Sequence, residues 1–472
     1  RRQKGRRLMS GKKIKIGFLP FYIKLYDDVG TGARARGRLS AFYEILVARF
    51  EELGFEVVRS EFCRVASEFK AAIERFERES VDCIVTWHAA YSPSLECIDA
   101  LSATDLPVVV LDTTETYDFG STQDPGEISY CHGIHGVMDM CNLLLRYGKK
   151  FAVAAGHHAE SDVMQRAAGF VRAAVAAQAL RGSRVGSIGG SFEGMGDFFV
   201  TDEEMESHFG VTVVYPGESE LASILDGISN EEAAREVEHD RENCYEIEPV
   251  DPAVHLRTAK NCLAVRHWIK RHKLFAFTVN FRTVASTGLT VMPFMEACKA
   301  MARGIGYAGE GDVLTASLLG ALLQGFPGSS FVEIFCPDWK GNTLLLSHMG
   351  EYNPNLICRR AGMKEMNFIF GEGENPVVSY GCYRGGDAVF VNLHRTAGGF
   401  RLLASPVEML EVPEDNFETK VRGWMKPQMP IPEFLEALSY AGATHHSVLV
   451  YGTKPEQIEF FASLCGLPCD II

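Results

Sequence analysis

Apolar positions along the first two thirds of the chain switch between two periods. Short β-branched runs at residues 14–19, 55–59, 81–87, 107–112, 150–155 and 184–188 are compact enough for buried strands. Between them, residues 39–53, 68–78, 132–147 and 162–180 repeat apolar side chains at three- and four-residue steps, the helical period. Strands alternating with amphipathic helices predict βαβ units, and so a parallel sheet wrapped by helices on both faces. The run from Phe151 to Gly156 reads as the first strand of a second such unit, which places a boundary near residue 155. A helix over 255–272, a strand over 274–281 and helices over 293–303 and 312–323 continue the rhythm.

After Phe326 the period changes. Residues 331–335, 342–348, 376–384, 388–395, 400–410 and 446–451 are β-rich and separated by Gly, Asn and Pro turns. The predicted fold class is therefore α/β: two doubly wound parallel-sheet domains (13–155 and 156–326) followed by a β-rich, antiparallel, barrel-like domain (327–472). No internal repeat or low-complexity segment interrupts it.

Length and composition narrow the classes of function. At about 150 residues per domain, 472 residues suit two to four domains. The formal net charge of -14 repels phosphate backbones, so no nucleic-acid partner is expected. The one basic cluster, Arg1, Arg2, Lys4, Arg6 and Arg7, precedes Met9 without apolar periodicity. Residues 1–12 are read as a disordered tag or leader outside the fold. No apolar run approaches the ~20 residues that span a bilayer, so no membrane partner is expected and the location is read as cytoplasmic. The 13 cysteines carry no C-x-x-C pair, and Cys83, Cys131 and Cys298 sit in apolar runs. Free thiols in a reducing compartment fit this better than disulfides or a thiolate zinc site.

Two glycine-rich runs invite a nucleotide reading. Gly304-Ile-Gly306-Tyr-Ala-Gly309 matches G-x-G-x-x-G in letters, yet a helix rather than a strand precedes it. Gly186-Ser-Ile-Gly189-Gly190 follows a strand with the wrong spacing. Both read as loops, and a nicotinamide dehydrogenase is the weaker alternative to an enzyme that needs no organic cofactor.

Chemistry gathers in the last third. Glu310 stands in Ala-Gly-Glu-Gly-Asp at the mouth of a helix, where Asp312 reads as the helix cap. Glu333 lies within Ser-Ser-Phe-Val-Glu-Ile-Phe, and a charge in such a run is costly unless paired or bound to a cation. His348 sits in Leu-Leu-Leu-Ser-His-Met-Gly-Glu351, and the pair His445-His446 opens the strand Ser-Val-Leu-Val-Tyr. Singly, each has an ordinary structural explanation; a strand histidine is more often a hydrogen-bonded core residue than a ligand. Together, two carboxylates and two imidazoles form an oxygen and nitrogen shell suited to manganese, cobalt or magnesium. Two glutamates brought together without a cation would repel until one took up a proton.

These motifs resemble, in order and approximate spacing, those of L-arabinose isomerases and the related L-fucose isomerases. Further matches are His88-Ala-Ala-Tyr-Ser-Pro93, His135-Gly136, Val153 to His157 and Phe277-Thr-Val-Asn-Phe281, so the resemblance runs from about residue 14 to the end. It implies one divalent cation per chain, manganese by preference, held by Glu310, Glu333, His348 and His446, with His445 in reserve. It implies Glu310 and Glu333 as the catalytic pair for an aldose–ketose interconversion through a cis-enediolate. It places Ile23, Lys24, His88, Met195, Phe281 and His445 against the sugar, and implies a trimer or hexamer whose active site is shared between subunits. One departure stands out. The family's Ser-Gln-His-Leu-Tyr-Gly loop reads Tyr22-Ile-Lys-Leu-Tyr-Asp27 here, so a substrate other than L-arabinose is expected, deoxygenated or anionic at its far end. The competing readings are a metal-free sugar-binding sensor, since two α/β domains can flank a ligand cleft, and another divalent-metal sugar enzyme such as an aldolase.

Overall fold

The computed structural model of the chain describes residues 13–28 and 32–472. The basic cluster and the expected leader lie outside the described residues. The chain divides into two compact units, Gly11–Val175 and a larger one built on Ala176–Ile472.

The first unit is a five-stranded parallel sheet. Its strands are β1 (Lys15–Phe21), β2 (Glu56–Arg59), β3 (Cys83–His88), β4 (Val108–Asp112) and β5 (Phe151–Ala155), in the order β2-β1-β3-β4-β5. Leu19, Phe21, Ile84, Val108 and Val110 pack against Phe69, Ile73 and Phe76 of the helix Ala66–Glu79 and Met140 and Leu144 of Ile134–Arg146, which forms one face of the core. The run at 151–155 corrects the expectation drawn from periodicity. It pairs in parallel with β4 as the last strand of this sheet and does not open a second one. An apolar run announces a strand, but its neighbour is chosen by where the preceding helix returns the chain.

The larger unit begins with a four-stranded parallel sheet of β6 (Arg184–Ile188), β7 (Thr212–Val214), β9 (Ala276–Val279) and β10 (Gly306–Gly309), ordered β10-β9-β6-β7. A small three-stranded sheet joins β8 (Cys244–Glu246), β13 (Ala361–Glu365) and β14 (Val377–Tyr380). Strand β10 corrects the loop reading of Gly304 to Gly309. A Cβ on Gly306 would lie 2.3 Å from the backbone N of Gly320, so glycine here permits close packing of the helix Val313–Gly325.

The remaining strands form a closed antiparallel barrel. β15 (Gly386–Thr396), β18 (His446–Tyr451), β11 (Ser329–Asp338), β12 (Thr343–Leu346), β17 (Gly423–Pro427) and β16 (Gly399–Met409) pair in that order, and β15 pairs again with β16 to close the ring. A seventh strand, β19 (Cys469–Ile471), adds in parallel to β16. All 13 cysteines are free. Among the described residues no helix is long and apolar enough to cross a membrane.

Candidate active site

The larger unit brings Glu310, Glu333, His348 and His446 to one place, and each arrives for a local reason. Glu310 follows the carboxyl end of β10, where parallel sheets commonly present functional groups. Its φ of 66° lies in the left-handed region, a sparsely populated conformation costing about 1–3 kcal/mol for a residue with a side chain. Gly311 follows with φ 84°, and a Cβ there would stand 2.2 Å from the Gly190 carbonyl oxygen, so the Gly189-Gly190 turn is pressed against this loop. Glu333 and His446 sit directly opposite each other on the paired strands β11 and β18. His348 comes two residues after β12, and the Ser347 N–H donates to the Glu333 carbonyl at 3.1 Å. Phe331 lies beneath both imidazoles, its ring 4.9 Å from each and edge-on.

Ligand atoms from Glu310, His348 and His446 lie within 4.8 Å of one another. Glu310 Oε2 is 3.5 Å from His446 Nε2 and from His445 Nε2, and Glu333 Oε2 is 3.4 Å from His348 Nε2. Glu310 Oε2 and His446 Nε2 are both buried without a hydrogen-bond partner. Orphaned acceptors facing each other at this spacing are costly in an apolar enclosure and fit a shared cation. The outward ring nitrogens are fixed by carboxylates: His446 Nδ1 donates to Asp312 Oδ2 at 3.0 Å, and His348 Nδ1 to Glu351. Tyr307 donates its hydroxyl to the other Glu351 oxygen at 2.5 Å. A carboxylate behind each histidine sets the tautomer that leaves Nε2 free to ligate. Asp312 also caps the helix Val313–Gly325 as expected, accepting from Thr315 N at 2.8 Å.

The charges are set against burial. Burial alone would raise the Glu310 carboxyl, but the imidazoles of His445, His446 and His348 hold it below its ordinary value. Burial wins at Glu333 and raises it. Burial would lower His348; Glu351 and the two glutamates raise it.

The remaining expected residues fall in two groups. Met195, Phe281 and His445 belong to the larger unit. Phe281 follows β9, and its ring is 5.5 Å from Phe192, whose N–H donates to the Glu310 carbonyl at 3.0 Å. Met195 lies in the same segment, its N–H donating to Phe192 O at 3.3 Å. Ile23, Lys24 and His88 belong to the first unit. Lys24 is exposed at the start of the helix Lys24–Asp28 and Ile23 is half-buried just before it. His88 ends β3 buried, stacked on Phe21 at 4.3 Å, with neither ring nitrogen partnered, and burial pushes it down to about 3. Sequence reasoning missed Glu351, Tyr307, Asp197 and the second role of Asp312. Only Glu351, three residues after His348, carried a signal in its spacing.

Two histidines, each backed by one carboxylate, and two glutamates meet at the junction of a parallel sheet and a barrel, a donor set of the kind that holds a divalent cation. The family model for the L-arabinose isomerase central domain matches residues 193–324, and that for the C-terminal domain matches 328–468. The chain is 27% identical over 455 residues to an L-arabinose isomerase of Shouchella clausii, covering 93% of this chain and 92% of that one. An L-arabinose isomerase of Mycolicibacterium smegmatis is 27% identical, covering 94% and 89%. One of Geobacillus kaustophilus is 26% identical, covering 85% and 83%. The chain belongs to the arabinose isomerase-like family and is an isomerase.

Proposed function

We propose that this chain is a divalent-cation-dependent aldose–ketose isomerase that passes its sugar through a cis-enediolate, and that the sugar is not L-arabinose. The observation that carries the metal reading is the buried, unpartnered pair Glu310 Oε2 and His446 Nε2 at 3.5 Å, with Glu333 and His348 beside it. Glu310, Glu333, His348 and His446 are the ligands, and manganese is the first choice among the cations that an oxygen and nitrogen shell accepts. When bound, the cation supplies positive charge opposite the sugar's developing oxyanion. One glutamate takes the proton from C2 and returns it to C1, while the other moves the hydroxyl proton. Phe331 beneath the imidazoles keeps bulk water from that side. The chemistry needs no organic cofactor.

The substrate class rests on Ile23 and Lys24. Asp27, the nearest acidic residue along the helix with an alternative partner, is engaged by Arg36 at 2.8 Å and Arg64 at 2.7 Å. Lys24 is exposed and, among the described residues, no ion pair holds it, which leaves its ammonium open to solvent as well as to an anionic group. A sugar deoxygenated or anionic at the end remote from C1 and C2 suits an apolar side chain next to a fixed positive charge. The same reading includes a trimeric or hexameric assembly with a shared active site and a cytoplasmic location.

The test is a panel of aldoses and ketoses, with 6-deoxy, phosphorylated and sulfonated hexoses included, incubated with manganese and with chelator. Isomeric product appearing only with the cation is expected; equal turnover after chelation, or cleavage to fragments, would overturn the reading. Lys24→Ala should lower kcat/KM for anionic sugars more than for neutral ones, and unchanged ratios would remove the substrate class while leaving the site.

A further inference from the structure

His446 opens β18 and His445 stands in the bend just before it, so no strand alternation fixes where the His445 side chain points. His446 is fully buried and His445 is exposed, yet both reach the same carboxylate. The two rings lie 4.2 Å apart, and both Nε2 atoms come within 3.5 Å of the same Glu310 oxygen. What holds His445 inward is Asp197. One carboxylate oxygen, Asp197 Oδ2, accepts the His445 backbone N–H at 2.9 Å and the His445 ring Nδ1–H at 2.7 Å. The next residue, Phe198, stacks on His446 at 5.1 Å with an interplanar angle of 7°. The segment that carries both is tied to Glu310 by the Phe192 N–H.

We propose that Asp197 is a positioning residue: its two-point grip on His445 fixes a side chain that its place before β18 leaves unconstrained, and presents His445 Nε2 to the sugar beside Glu310. With Nδ1–H committed to Asp197, the ring cannot rotate about χ2 without losing that bond, so Nε2 stays aimed at the site. His446 already has Asp312 behind it, so the cation ligands do not depend on Asp197. The assignment of His445 to the sugar rests on the proposed isomerase reading; the grip itself does not.

The experiment separates the two. Histidine-selective ¹⁵N NMR of the metal-free protein, on wild type, Asp197→Ala and Asp197→Glu, reads the His445 ring directly. Asp197→Ala should abolish the Nδ1–H hydrogen-bond signature of His445, and Asp197→Glu should restore part of it. An unchanged His445 signal in Asp197→Ala overturns the positioning claim, whatever the enzyme turns over. Manganese affinity of Asp197→Ala should match wild type, whereas a loss comparable to His446→Ala would show that Asp197 supports the ligands instead. On the sugar found in the substrate panel, Asp197→Ala should cost about 10–100-fold in kcat/KM, the usual range for removing an orienting carboxylate. Full activity together with a displaced His445 ring would remove His445 from the sugar site.

Discussion

Replacing Asp312 separates two roles that one carboxylate performs. Oδ1 caps the helix Val313–Gly325 through Thr315 N at 2.8 Å, and Oδ2 accepts from His446 Nδ1 at 3.0 Å. Both Asp312 and His446 are fully buried, so neither loss is repaired by water. Asp312→Ala removes the cap, worth about 1 kcal/mol. It also strands a buried imidazole N–H, worth about 1–3 kcal/mol. The sum is a loss of about 2–4 kcal/mol of stability. Asp312→Asn keeps the shape but has one oxygen for two donors. It keeps either the cap or the histidine bond, and is expected to lose only about half as much. If the amide nitrogen faces His446, the ring must take the other tautomer and place its proton on Nε2, where a cation would bind. Asp312→Ala should therefore weaken manganese binding by about 10–100-fold, and Asp312→Asn by as much only when its amide nitrogen takes the His446 side. Thermal unfolding of the metal-free variants and titration with manganese, read by the electron paramagnetic resonance of the free ion, measure the two effects. Wild-type affinity in Asp312→Ala, or a larger stability loss in Asp312→Asn than in Asp312→Ala, would refute the reasoning.

Glu310→Gln and Glu333→Gln should each lower kcat by about 10²- to 10⁴-fold in steady-state assays; near-normal turnover in either removes that residue from the pair. Gly311→Ala puts a Cβ 2.2 Å from the Gly190 carbonyl oxygen at a φ of 84°, so melting temperature and manganese affinity should fall together. Glu236, held by Arg266 at 2.5 Å and Lys299 at 2.6 Å, is opposed by burial yet pushed down to about 2, against 4.5 unfolded. Its contribution, about 3 kcal/mol at most, is present above pH 4.5 and lost as pH falls toward 2. Glu236→Gln should make the unfolding midpoint fall less steeply across that window, and parallel profiles would refute it.

Legibility of the chain followed the length scale of each signal. Strand β18 stands at the expected 446–451, and the helix Val163–Leu180 begins within one residue of its expected start, because both are long, uninterrupted patterns. Glu333 was visible because a carboxylate inside Phe-Val-Glu-Ile-Phe contradicts its surroundings. β7 and β8 went unread because three residues carry no period. β10 was hidden by its glycines, which serve packing against Gly320 and not a loop. Asp197 lies 248 residues from the histidine it grips, and Tyr307 lies 44 from Glu351; nothing local in the sequence joins such pairs. Asp312 was legible as a cap and silent about His446, because capping is local and ligand support is tertiary.

Equilibrium manganese binding to chelator-stripped protein, compared between wild type and a Glu310→Gln, His446→Ala double variant, tests the site most directly. The geometry predicts one tightly bound ion per chain in the wild type, and its loss in the double variant while the fold stays intact by circular dichroism. Binding of the same ion with the same affinity in both proteins would contradict it.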